Sequence, residues 1–237
     1  MKKINSFLSD IKFLFKNWRH LLYRLHHDYP DRTDFGSLPP HSSITYPCHI
    51  GRVKNFFAED YVKINYGLTI INTDKESVYI KKYTGIAPNV TIVTNNHKST
   101  VSIPLFILGE SHINDKSADV IIEEDVWVGT RAIILSGVTL GRGCIVGANS
   151  LVNKSIPPYA LVAGTPAKIL GVVFSLEDIE KHEKALYPPN ERMPHEKLVT
   201  LFETYYKDKK IYGCSEPLTA EQLDIVNKLK RKQGLII

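Results

Sequence analysis

The sequence predicts a mainly β chain wound as a triangular prism of stacked parallel coils, flanked by helical segments. Three observations carry this: an apolar residue at every sixth position, a small or β-branched residue two places before it, and glycine often just after it. From Ile44 the sixth residues are Ile50, Phe56, Val62, Leu68, Asp74, Ile80, Ile86 and Ile92, and a second series runs Ile122, Val128, Ile134, Leu140, Val146 and Val152. Fourteen of these fifteen are apolar and only Asp74 is not, which makes chance a poor explanation. A period of six matches neither the 3.6 of a helix nor the period of two of a simple strand. It suits a chain that runs straight, bends and repeats, so that three segments close one coil and coils stack at sheet spacing, about 4.8 Å.

The elements follow in chain order. Residues 1–43 form an extension: Ile4, Phe7, Leu8, Ile11, Leu14, Phe15, Trp18, Leu21, Leu22 and Leu25 make an apolar stripe opposite Lys12, Lys16 and Arg19. Such an amphipathic helix suits packing on the prism or a neighbouring subunit, and residues 4–25 also suit peripheral contact with a membrane surface. Its apolar positions are broken every few residues by polar ones, so neither a signal peptide nor a membrane span is expected there. Residues 28–43 read as the connecting turns.

The prism occupies 44–171. Cys48 and Cys144 fall on the small inward position and read as core. The repeat lapses after His97, and an inserted loop over 98–121 holds Pro104, Leu105, Phe106, Gly109, His112 and Asn114. Loops leaving a rigid scaffold are where substrate contacts are commonly built. From 172 to 237 the period is gone and a helical cap is expected. Ser175 with Asp178 and Thr219 with Gln222 are spaced as capping boxes, and Leu198, Leu201, Phe202 and Tyr205 mark a further helix between them.

Composition narrows the class. The net charge of +5 on 237 residues is spread along the chain, which fits an anionic small partner and argues against nucleic acid. Three widely spaced cysteines without a CxxC pair indicate neither a disulfide framework nor a zinc site, and the histidines lack metal-ligand spacing along the chain. No metal is expected, and a reducing cytoplasm, including its membrane face, fits best.

With the repeats placed, residues 44–171 resemble the hexapeptide-repeat acyltransferases, in particular the galactoside, maltose and xenobiotic acetyltransferase branches. The segments that carry the resemblance are GIAPNVTIVTNNH at 85–97, DVWVGTRAIILSGVTLGRGCIVGANSLVNKSIPP at 125–158 and VAGTPAKILG at 162–171. The resemblance implies coils that wind left-handed, against the usual right-handed preference of parallel crossovers. It also implies acetyl-CoA as acyl donor and a homotrimer with sites between prisms. His97 matches the family's catalytic histidine. A sugar hydroxyl is a poor nucleophile near neutral pH, and a neutral imidazole can take its proton as the oxygen attacks the thioester, with no covalent enzyme intermediate.

The positions matching the donor groove are Trp127, Thr130, Ala148, Asn153, Lys154 and Lys168. Thr130 and Ala148 stand eighteen residues apart, one full coil, and are expected to stack on one corner. The two lysines suit the phosphates of the nucleotide end. Asn65 and Asp74 match acceptor-site positions, and His112 in the loop is a further candidate for substrate contact. The function implied is transfer of acetyl from acetyl-CoA to a sugar hydroxyl, in bacterial surface polysaccharide synthesis, with a small-molecule or glycan acceptor. The alternatives are an antibiotic O-acetyltransferase, favoured by the long loop after His97, and an N-acetyltransferase on an amino sugar, disfavoured by the lack of a GxGxxG motif. A non-catalytic scaffold on the same repeats is opposed by His97, Trp127 and GTPAK occurring together.

Overall fold

The computed structural model describes residues 29–235 together with Trp18 and Leu22. The helix expected over residues 4–25 otherwise lies outside the described residues. The prism is present as three stacks of parallel strands. The first face runs Ser43–Ile44, Lys63–Ile64, Gly85–Ile86, Trp127–Val128, Ile145–Val146 and Ala160–Gly164. The second runs His49–Ile50, Thr69–Ile71, Thr91–Val93, Ile133–Ile134 and Leu151–Val152, and the third Phe56–Ala58, Val78–Ile80, Val120–Ile122 and Thr139–Leu140.

Register turns the sequence period into ladders of inward side chains. On the first face Ile64, Ile86, Val128, Val146 and Val162 stand one above another; on the second Ile50, Ile70, Ile92, Ile134 and Val152 do. Nearly all are withdrawn from solvent, and removing apolar surface from water is the main force holding the stack together. Cys48 and Cys144 are buried among them, and burial pushes the Cys144 thiol up, which leaves it an inert core group.

The ladders correct the phase of the first series. Eight residues separate Ile50 from Ala58, because a single 3-10 turn at Val53–Asn55 is inserted, and ten separate Ile70 from Ile80. Phe56, Val62 and Leu68 therefore occupy the inward position two before Ala58, Ile64 and Ile70. The periodicity survived this slip because both inward positions are apolar and buried. Asp74 is not an anchor: it sits in the extra turn with its side chain 80% exposed.

Corners are made by residues in the left-handed backbone region, again in register. Gly67, Asn89, Arg131 and Asn149 turn the corner between the first and second faces, and Tyr61, Tyr83, Asp125, Gly143 and Tyr159 that between the third and first. Stacking is close at Gly129, where an added Cβ would lie 2.6 Å from the Ala148 amide nitrogen and 2.7 Å from the Val146 carbonyl oxygen. Both contacts are backbone, so neither can move aside cheaply, and only glycine lets these coils approach.

Most coils in the upper prism advance by eighteen residues, but Ile80 pairs with Ile122, forty-two residues on. The excursion spans 94–119 rather than 98–121, since Val120 and Ile121 already pair with Val78 and Tyr79. It contains helix α1, Leu105–Ser111. The stack ends where Ala160–Gly164 doubles back antiparallel on Ala167–Val172, which Lys210–Ile211 then extends.

The C-terminal segment holds helices α2 (Leu176–Leu186), α3 (His195–Leu201) and α4 (Ala220–Gln233). Thr219 and Gln222 form the full capping box, while at Ser175 the hydroxyl accepts from the Asp178 amide and itself donates to the Asp178 carboxylate. The α3 stripe continues through a π turn at Phe202–Tyr206, and the wider turn buries Tyr206 where a regular helix would have turned in Tyr205. The Tyr206 hydroxyl donates to the Pro158 carbonyl. Among the described residues no helix is long and apolar enough to cross a membrane.

Candidate active site

His97 lies at the start of the excursion, four residues past the strand Thr91–Val93. The chain returns beside it after α1, so His112 and Asp115 come back to the same place. The His97 Nδ1 is 3.1 Å from both Asp115 oxygens, and the His112 Nδ1 is 2.8 Å from Oδ2 of the same carboxylate. Two further bonds tie the limbs of the loop: the Lys116 amide donates to the Asn96 carbonyl, and Asn114 Nδ2 donates to Thr100 Oγ1. The hydrogen bonds from His112 and His97 hold the Asp115 carboxyl below the usual carboxylate range, so it stays an anion.

An anion at Nδ1 fixes the imidazole's chemistry. It orients the ring, keeps the proton on Nδ1 and leaves Nε2 as the free basic nitrogen. The imidazole is 41% exposed, within reach of a bound molecule. Asp115 is the residue that sequence reading missed. It falls in an aperiodic insert, and only the return of the loop brings it to His97. The same loop gathers His97, His112 and Asp115 so that their ligand atoms lie within 4.8 Å of one another, an arrangement invisible in chain spacing.

A polar cavity of about 480 Å³ opens alongside, lined by Arg52, Asn72, Asp74, Glu76, Asn95, His112 and Asp115 among others. Asp74 pairs with Arg52 at 2.7 Å on its rim, and the buried Glu76 is bonded through Oε2 to the Thr73 amide and hydroxyl. Asp74 and His112 thus line one cavity, with Arg52 and Glu76, which the sequence did not single out, beside them.

The remaining candidates divide between two corners. Thr130 and Ala148 do stack: the Asn149 amide bonds the Thr130 carbonyl, and both side chains are exposed where the first face turns into the second. Asn65 turns the same corner two coils below Gly129, its Nδ2 donating to the Ile86 carbonyl. Trp127 lies on the adjoining face with its ring over Gly85, where a Cβ would come within 2.7 Å of it. Lys168 pairs with Ala163 in the closing hairpin, above Gly147. Asn153 and Lys154, however, follow the second face and turn the other corner, the one from which the His97 excursion leaves. Lys154 borders a cavity of about 400 Å³ with Ala167 and Ile169. One prism therefore does not assemble the whole set; His97 and Thr130 belong to different edges.

A prism of three-sided coils built from six-residue repeats, with an anion-held histidine on the loop that leaves one of its corners, defines a class of coiled-strand proteins. The comparisons name the family. Residues 119–154 match the family described as bacterial transferase hexapeptide (six repeats). The chain is 30% identical to a hexapeptide-repeat acetyltransferase of Vibrio cholerae of known structure, covering 61% of this chain and 77% of that one with a TM-score of 0.54. The same Vibrio protein with acetyl-CoA bound aligns with a TM-score of 0.56 at 28% identity over 64% of this chain and 84% of that one. The chain belongs to the hexapeptide-repeat acetyltransferase family, and its fold is the left-handed parallel β-helix.

Two curated relatives illustrate the range of acceptors. The chain is 37% identical to a galactoside O-acetyltransferase of Escherichia coli K12 over 134 residues, 56% of this chain and 57% of that protein. It is 38% identical to a chloramphenicol acetyltransferase of Escherichia coli over 85 residues, 33% of this chain and 40% of that protein. The chain thus spans well under two thirds of either relative.

Proposed function

We propose that the protein transfers an acetyl group from acetyl-CoA to a sugar hydroxyl, with His97 as general base, and that the acceptor is a glycan of bacterial surface polysaccharide synthesis. The observation that carries the reading is the pair His97–Asp115, whose carboxylate also lines a cavity rich in hydrogen-bonding groups. With the Nδ1 proton held by Asp115, Nε2 takes the acceptor's hydroxyl proton as its oxygen attacks the thioester carbonyl. The tetrahedral intermediate then expels the thiolate, which takes the proton back from the imidazolium, and the Asp115 anion stabilises that cation meanwhile. The bound donor in the Vibrio relative and the galactoside relative both favour this chemistry.

The acceptor cavity, with Arg52, Asp74 and Asn95 on its walls, suits a polyhydroxylated ring, each hydroxyl needing a partner. A second reading, an antibiotic acceptor, is favoured by the exposed Leu105, Phe106 and Ile107 on the loop and by the chloramphenicol acetyltransferase relative. Thioester turnover with panels of sugars and of chloramphenicol-type acceptors separates the two; turnover with the antibiotics alone overturns the sugar reading.

Asp115 acts in this scheme as a positioning residue. Asp115→Asn is expected to lower kcat about tenfold or more while leaving the KM for acetyl-CoA unchanged. A rise in that KM with kcat intact would mean that Asp115 only shapes the loop.

The site is completed between subunits. Because Trp127, Thr130 and Ala148 occupy one edge and His97 another, a donor lying on the first reaches the second only when a neighbouring prism supplies it, and closed cyclic symmetry gives three such grooves in a homotrimer. The exposed Trp127 and Ile133 offer apolar surface for that contact. Sedimentation should give the mass of three chains; a monomer that is fully active would overturn the arrangement. In this reading the enzyme works in the cytoplasm, and the stripe over residues 4–25 serves either the assembly or the membrane face.

A further inference from the structure

We propose that His97, His112 and Asp115 form a binding site for a divalent ion of the zinc class, and that occupancy of this site switches off the base. The consequence for catalysis rests on the function proposed above; the binding does not.

The donor set is two imidazole nitrogens and one carboxylate, which suits Zn²⁺ with a water as fourth ligand. The geometry is close to what such an ion needs. Bonds of about 2.0–2.1 Å set tetrahedral ligands roughly 3.3 Å apart. Here the contacts between Nδ1 and carboxylate oxygens are 3.1, 3.1 and 2.8 Å, and all the ligand atoms lie within 4.8 Å of one another. Both rings already turn Nδ1 toward the same carboxylate, so the donor atoms are gathered before an ion arrives, and on binding the displaced Nδ1 protons pass to solvent.

Access and preorganisation agree with this. The imidazoles are 41% and 49% exposed while the carboxylate is only 10% exposed, so an ion arrives from solvent at a ligand set anchored from beneath. The ligands come from both limbs of the excursion, which the Lys116–Asn96 and Asn114–Thr100 bonds already hold together. Little ordering is left for the ion to impose.

Occupancy is incompatible with base catalysis at the same residue. With the ion on Nδ1, a neutral His97 ring carries its proton on Nε2, the nitrogen that has to accept one from the hydroxyl. The ion therefore acts as a reversible inhibitor of acetyl transfer, independent of the donor groove on the other edge.

The test uses the untagged full-length protein, stripped with a chelator and titrated with Co²⁺ in the absence of acetyl-CoA. The expected result is a visible absorption band of tetrahedral strength that saturates at one ion per chain and is bleached by Zn²⁺. His112→Gln and Asp115→Asn, both near-isosteric and checked for folding by circular dichroism, are each expected to weaken binding by more than about tenfold. Binding that is unaffected by both substitutions, or no saturable band, overturns the site. Thioester turnover is then followed with and without Zn²⁺. Turnover that persists at saturating Zn²⁺ overturns the switch, whereas a saturable one-ion site in a protein inactive even when metal-free supports the site and defeats the acetyltransferase reading instead.

Discussion

Replacing His97 by alanine is expected to lower acetyl transfer by about a hundredfold or more, the ordinary worth of a positioned general base. The loss should fall on kcat. The residues proposed to grip the donor, Thr130, Ala148 and Lys168, lie on another edge of the prism, so binding of acetyl-CoA should be nearly unchanged, as isothermal titration would show. The fold should also be intact, because His97 is exposed and sits outside the strand ladders. If the variant binds acetyl-CoA and turns over at the parent rate, His97 is not the base. If the parent binds no acetyl-CoA, the family activity does not extend to this chain.

Arg142→Leu is expected to destabilise the protein by about 3–5 kcal/mol, the usual cost of removing one partner from a buried ionic cluster. Arg142 is 9% exposed and joins the last coils to the C-terminal segment. Its Nε donates to Glu124 at 3.1 Å, and its Nη1 donates to Glu183 at 2.9 Å and to the Glu191 carbonyl at 2.8 Å, while the guanidinium lies 4.1 Å over the Tyr187 ring. The Tyr159 hydroxyl donates to the same Glu183 at 2.6 Å. Without the cation the buried Glu183 carboxylate loses its ionic partner and Glu124 keeps only Lys81. Urea unfolding measures the loss, and adding Glu124→Gln and Glu183→Gln to Arg142→Leu should recover much of it, since the cost lies in uncompensated charge rather than in missing contacts.

The same cluster sets a pH dependence. Burial alone pushes the Glu124 carboxyl up, but a backbone hydrogen bond and the Arg142 and Lys81 cations outweigh it and hold it below the ordinary 4.5. A carboxyl lower in the folded than in the unfolded state contributes stability that is complete above about pH 4.5 and is lost as the pH falls through its folded value. The parent should therefore weaken on the acid side of that range. Arg142→Leu should weaken less steeply there; an unchanged acid slope would show that Arg142 does not hold Glu124 down.

Much of this protein was legible in the chain alone. Because an apolar side chain turns inward at every sixth position, from Ile86 and Ile92 to Val146 and Val152, a six-residue period announced the prism. The GIAPNVTIVTNNH run singled out His97 as the candidate base, and Thr130 and Ala148 were correctly placed one coil apart. Local capping chemistry likewise foretold the start of α4 at Thr219. Such features depend on neighbours in sequence or on a strict repeat.

What the chain could not settle depended on departures from the repeat. Two inserted turns shifted the phase, so Asp74 passed for a failed anchor until register placed it on a cavity rim. Asp115 lies in an aperiodic loop, and its meeting with His97 and His112 is a tertiary event with no spacing to reveal it. The division of the candidate residues between two corners likewise follows from which face each strand joins. Periodicity is a property of the backbone and is written along the chain, whereas the partners of an exposed imidazole are decided by how an irregular loop returns to the scaffold.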